Sequence, residues 1–169
     1  MTDQSREKAW GFAIFCDDVR PEVGGKLSLM GLYQADMFFP ASISLPIILP
    51  KFFAVINYYE IHHSIEEDMI FRITYGTEGA ALAELPISRK EIQANQIAAT
   101  AAPEDAEDQE RIFNIRLPIP LIPFTLSKMG RLRVRAHYSD GKVLRLGSMA
   151  IRQIPDAEFQ AMTGIVAAP

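Results

Sequence analysis

Between Arg131 and Tyr138 apolar and charged side chains alternate without a break: Leu132, Val134, Ala136 and Tyr138 fall on one side, Arg131, Arg133, Arg135 and His137 on the other. A period of two sustained over a whole segment is the pattern of a β-strand with one buried face, since a helix would mix the two sets. The next strand, Val143 to Ile151, must place Leu144, Leu146 and Ala150 in the same core, and that parity decides the turn. A two-residue loop, Asp140-Gly141, would set Arg135 against Leu146 and put the faces out of step. A three-residue loop of Ser139, Asp140 and Gly141 sets Tyr138 against Lys142, Ala136 against Leu144 and Arg135 against Arg145. Gly141 then takes the left-handed position such loops require.

The rest of the chain repeats the signal. Trp10 to Cys16, Lys26 to Tyr33, Lys51 to Tyr59, Met69 to Tyr75 and Ile112 to Leu117 are rich in β-branched, aromatic or long aliphatic residues and bounded by Gly, Pro or Asp, and Leu82 to Ile87 is a further strand. These runs predict an all-β fold: an antiparallel β-sandwich, immunoglobulin-like or a related Greek key, of seven to nine strands. In Phe12 to Phe15 and Phe52 to Ile56 both alternating faces are apolar, which predicts strands covered on each side. Met69, Phe71, Ile73 and Tyr75 share one face while Arg72 and Thr74 point the other way, the half-buried pattern. Leu45-Pro46-Ile47, Leu85-Pro86-Ile87 and Leu117-Pro118-Ile119 mark strand ends, edges or crossings, because proline cannot donate to a ladder.

At 169 residues the chain can bury one core without staples, so residues 1–169 read as a single domain. Residues 1–8 are a loosely held start, 88–110 a long crossover with an alanine-rich stretch, and 155–163 a short C-terminal helix with Asp156 at its positive end and Gly164 as its stop. Apolar runs are too short to cross a membrane, and the polar start lacks a secretory leader. Cys16 is the lone cysteine. These features predict a cytoplasmic protein without an internal disulfide.

Charge is unevenly spread. Residues 1–110 hold 8 Lys or Arg against 18 Asp or Glu, whereas residues 111–152 hold 9 against 1. Within the basic part, the hairpin brings Arg131, Arg133, Arg135 and Arg145 onto one outward surface, two of them directly opposed, an arrangement that costs up to about 1 kcal/mol. Either the face is simply solvated or something acidic offsets it: Glu104, Asp105, Glu107, Asp108 and Glu110 of the crossover, a second copy of the chain, or an external polyanion. The patch lacks interleaved aromatics for base stacking, which favours a protein partner over nucleic acid.

Chemistry finds little to work with. Glu60, His62 and Asp68 are candidate metal ligands at a hairpin tip, where a metal-dependent hydrolase would need three converging donors. There is no Gly-x-Ser-x-Gly elbow and no phosphate loop. Cys16 ends an apolar strand, where a thiol is inert. No cofactor is implied. Asp18, Arg20 and Glu22 alternate along an extended connection between the first two strands and read as self-paired. The sequence thus predicts a non-enzymatic interaction or assembly module that binds itself or a protein partner through a sheet edge or the arginine face. Alternatives are an anionic-ligand or nucleic-acid binder using that face and, more weakly, the hydrolase near His62.

Three motifs carry a family likeness: Phe15-Cys16-Asp17-Asp18-x-Arg20, then Gly25-Lys26-x-Ser28-Leu29-x-Gly31-x-Tyr33, and Gly130 with Tyr138-x-Asp140-Gly141. The chain resembles a family of small bacterial and phage-associated proteins of unknown function over the first strand pair and the final hairpin, about a third of its length. The resemblance implies a β-sandwich and transfers no functional residue.

Overall fold

The segments with period-two patterning form strands. A computed structural model describes residues 9–61, 68–76, 80–88, 90 and 112–164. The start at 1–8, nearly all of the 88–110 crossover, and His62 lie outside the described residues. Within them the chain folds as an all-β sandwich with a short C-terminal helix, Asp156–Thr163. The helix stops at Gly164, whose φ of 63° lets its N–H reach the Gln160 carbonyl at 3.0 Å.

One sheet has four strands: β1 (Ala9–Glu22), β2 (Lys26–Tyr33), β5 (Phe53–Ile61) and β8 (Ile112–Pro120), in the order β2-β1-β5-β8. The other has five: β3 (Asp36–Pro40), β6 (Met69–Tyr75), β7 (Ala80–Ile87), β10 (Gly130–Tyr138) and β11 (Val143–Ile154), ordered β3-β11-β10-β6-β7. A third pair, β4 (Ile47–Leu49) with β9 (Phe124–Leu126), completes eleven described strands. That exceeds the seven to nine expected because β3, β4 and β9 are too short to show an alternation. Tertiary pairing makes them: β3 runs parallel to β11, the one departure from antiparallel order among the described strands, with Met37 opposite Ile151. In the small pair, Phe124 and Leu126 are buried, and the Phe124 ring lies 5.2 Å from that of Phe52.

Both sheets feed one core. Ala54, Ile56 and Tyr58 of β5 meet Phe71 and Ile73 of β6 and Leu132, Val134 and Ala136 of β10. The Tyr58 and Phe71 rings meet edge to face at 5.5 Å. Tyr58 also ties the layers by polar contacts: its hydroxyl donates to Glu60 and lies 3.2 Å from the Tyr138 hydroxyl. Burial, then the bond to Glu60, pushes the Tyr58 phenol far up from its ordinary range.

The hairpin between β10 and β11 has the register read from parity. Arg135 opposes Arg145 and Ala136 opposes Leu144. Gly141 sits at φ 87°, and Tyr138 bonds the Lys142 carbonyl at 3.0 Å. Beyond this point a β-bulge intervenes, since Val134 pairs with Gly147 while Arg135 pairs with Arg145. Leu146 is the extra residue and still reaches the core. The added residue reverses parity: Met149 and Ile151 enter the core, and Ala150, expected there, instead opposes Arg131 on the other face.

The segment at Asp17–Glu22 is also corrected. It is not a loop but the outer half of a long β1, paired with β2 to Glu22 opposite Lys26. Its charges are self-paired as expected: Asp18 lies 3.3 Å from Arg20 Nε and 3.4 Å from Lys51 Nζ, and Ser28 bonds Glu22. Burial raises the Asp18 pKa, but these two cations outweigh it and the net direction is downward.

Candidate functional site

The outward face of the five-stranded sheet is assembled from directly opposed residues, which share a face in any antiparallel ladder. Glu84 of β7 opposes Arg72 of β6, Arg72 opposes Arg135 of β10, and Arg135 opposes Arg145 of β11. Three arginines therefore stand in one row across three strands, with a single carboxylate at the β7 end. Arg133 and Arg131 occupy the rows beside it, opposite Ser148 and Ala150. All four arginines expected on this face are there. Arg72 is a fifth that the sequence reading left out; its outward direction was legible from the alternation of residues 69–75, but its strand neighbour was not.

The arginines differ in how they are held. Arg131 Nη1 donates to Ser148 Oγ at 3.1 Å, and Arg133 Nη1 to the Gly76 carbonyl at 2.7 Å. These bonds fix side chains without neutralising charge. Arg72 Nε lies 2.6 Å from Glu84 Oε1, an ion pair between two side chains that are both partly in water, which weakens it. At the β3 margin Arg152 Nε lies 3.3 Å from Asp36 Oδ2. The side chains of Arg135 and Arg145 make no ion pair or hydrogen bond to another described residue. The face is thus acidic at its two margins, Glu84 and Asp36, and basic in the middle.

His137 reports on that field. Burial, then the positive charges of Arg72 and Arg135, lower its pKa from the ordinary imidazole value, with Glu84 opposing. The imidazole is neutral where the guanidiniums crowd it. Such a surface can bind an anion or an acidic side chain by charge-assisted hydrogen bonds.

The other candidates fall elsewhere. Glu60 is buried and accepts from Tyr58; Asp68 is exposed at the start of β6; and His62 lies outside the described residues. Among the described residues no group of three or more His, Cys, Asp or Glu is placed to hold a metal. Cys16 is buried, and burial followed by the charges of Asp17 and Asp18 raises its thiol pKa. The motif residues behind the family resemblance have a structural use: Tyr33 donates to Asp17 Oδ1 at 2.6 Å, and Gly31, at φ 67°, leaves room for that carboxylate. Among the described residues no helix is long and apolar enough to cross a membrane. Comparison with known proteins returns no match to a family model, to a curated protein or to a solved structure, and the resemblance rests on its motifs alone.

Proposed function

We propose that this chain is a non-enzymatic interaction module that docks an acidic protein surface on the arginine face of its five-stranded sheet. The observation that carries the reading is the row Arg72, Arg135 and Arg145, whose three positive charges meet one carboxylate among the described residues. Opposed like charges cost stability, and an acidic partner recovers that cost on binding. The neighbouring bonds of Arg131 and Arg133 hold their guanidiniums in place, which lowers the entropy lost on docking. Arginine is suited to this role because its planar fork meets carboxylates two bonds at a time.

The sheet edges are poor alternatives for assembly. Among the described residues, three of the four edge strands of the two large sheets carry proline, Pro40 in β3, Pro86 in β7 and Pro118 with Pro120 in β8, and β2 carries Gly31 at positive φ. Both devices obstruct the addition of another strand.

Titration with labelled polyglutamate and with single- and double-stranded DNA, at low and high salt, tests the reading. Polyglutamate is expected to bind at low salt, and Arg135→Glu with Arg145→Glu to weaken it roughly tenfold or more. Binding of DNA but not polyglutamate would select the nucleic-acid alternative. Binding of neither overturns both.

A further inference from the structure

The four-stranded sheet carries aromatic rings on its outward side because the inner side has no space for them. From residue 9 to 14, β1 points its small residues, Ala9, Gly11 and Ala13, toward the core and its large ones, Trp10, Phe12 and Ile14, outward. A side chain at Gly11 would come within 2.5 Å of the Asn57 carbonyl oxygen and 2.7 Å of Leu146 Cδ2, and one at Gly147 within 3.2 Å of Ala13 Cβ. The outward side is not uniform. Cys16 and Val55 are buried on it, and further along β1 Asp18 pairs with Arg20 and Lys51. At the end nearest residue 10, three rings stand beside one guanidinium.

Tyr59 lies between the other two rings in distance: its centre is 5.7 Å from that of Trp10, with 10° between the planes, and 6.4 Å from that of Phe12, with 27°. Trp10 and Phe12 are nevertheless 40 and 47% exposed, so each keeps ring surface open to another flat partner. Next to them on β8, Asn114 opposes Tyr59 and Arg116 opposes Asn57, which in turn opposes Phe12. Directly opposed residues share a face, so the rings, the two amides and the guanidinium look the same way. Arg116 is held there: its Nε donates to Asn57 Oδ1 at 2.9 Å, and Asn57 is itself only 3% exposed. A buried amide thus anchors the near side of a guanidinium whose terminal nitrogens make no bond to another described residue.

We infer that this corner binds a nucleotide, free or within a single strand, with its base stacked on an open ring face of Trp10 or Phe12 and its phosphate on the terminal nitrogens of Arg116. Stacking platforms beside a cation are the means by which proteins hold unpaired bases, since every base has a π-face. The planar guanidinium fork meets phosphate two bonds at a time. Neighbouring strands lie about 4.8 Å apart, so Phe12 and Arg116, two strands apart, stand roughly 10 Å from each other, within the reach of one extended nucleotide. The combination selects the ligand. A neutral sugar would use the rings and leave the guanidinium idle, and an acidic peptide would use the guanidinium and leave the rings idle. Asp18, the first carboxylate along β1 on this face, stands three rows from Phe12 and is already paired, so it does not repel a phosphate at Arg116. The arginine face of the other sheet has the charge for an anion but no such rings.

Trp10 is the single tryptophan of the chain, so quenching of its emission tests the inference directly. The full chain is titrated at low salt with adenosine monophosphate, with an adenine strand of about eight nucleotides, with a duplex of the same length, with a neutral oligosaccharide and with polyglutamate. Saturable quenching is expected from the strand, the mononucleotide or both, which tells a nucleic acid from a free nucleotide, and none from the duplex, whose base faces are covered. Arg116→Gln should weaken it roughly fivefold or more and flatten its salt dependence by about one phosphate. Phe12→Leu, which keeps apolar bulk without the ring, is a second variant that should weaken it, whereas Arg135→Glu with Arg145→Glu should leave it within about twofold. Absence of quenching by both nucleotide forms overturns the inference, as does equal quenching by the oligosaccharide or polyglutamate, or by the strand whether or not Arg116 and Phe12 are changed. Quenching lost only with the Arg135 and Arg145 pair also overturns it, and moves the nucleotide to the arginine face.

Discussion

The two outward faces of this sandwich differ in almost every physical respect. On the five-stranded sheet, β10 alternates strictly and β6 does so apart from Ile70, which stands outward opposite His137, so the core takes nearly all of their apolar residues and the outside is dominated by guanidiniums. On the four-stranded sheet, close approach between β1 and β11 leaves the core no volume for Trp10 and Phe12, and they stay partly in water. One face is charged because the inside is full of its apolar neighbours; the other is apolar because the inside has no space. The contrast shows that an exterior can be set by packing on its reverse side.

The largest expected effect comes from attacking that packing. Gly11→Val should destabilise the fold by at least ~2 kcal/mol in urea unfolding, since the new side chain meets backbone as well as Leu146. A neutral result would show that the sheets have room to separate and would remove the explanation for the exposed aromatics. Next, Trp10→Ala should cost about 1 kcal/mol through its stack on Tyr59 in the same measurement. The arginine face should respond with the opposite sign: Arg145→Gln is expected to raise stability by a few tenths of a kcal/mol at low salt, with no gain at high salt. Destabilisation there would mean that Arg145 already serves a carboxylate of its own chain.

The smallest effect is a titration. His137 has a folded-state pKa below its unfolded value, so it contributes stability that is present above the ordinary imidazole pKa and is lost as pH falls through the folded one. In an NMR titration, Arg135→Gln should move that pKa upward, and so should a bound polyanion. An acidic partner should accordingly bind more tightly as pH falls through this window. An imidazole that ignores both changes would place the guanidinium charge elsewhere and blunt the contrast between the faces.

Legibility in the sequence follows the same division. The turn of β10 and β11 could be read to the residue as far as Arg135 opposite Arg145, because strict alternation leaves one loop length that keeps both faces consistent, but the bulge beyond it left no mark in the pattern and Ala150 was misplaced. The expectation that the first and fifth strands are covered on each side held for β5, where outward Val55 and Asn57 are buried. It failed for β1: β2 reaches only to Tyr33 opposite Phe15, so among the described residues Trp10 and Phe12 have a neighbouring strand on one side alone. Strand length on a neighbour is not a property of the segment itself. Arg72 was missed for a related reason, since pairing between distant strands decides who shares a row. The short β3, β4 and β9 gave no periodic signal, and proline alone hinted that backbone there was extended.

The bulge at Leu146 has a consequence for what changes this protein can accept. Past that point every residue of β11 depends on one additional position for the side it occupies. Substitutions there are local events, and deleting Leu146 itself would close the bulge with Met149 and Ile151 still inward, whereas losing a later residue with the bulge kept would turn Met149 and Ile151 out to water and send Ser148 and Arg152 inward. The strand's length is therefore under tighter constraint than most of its letters.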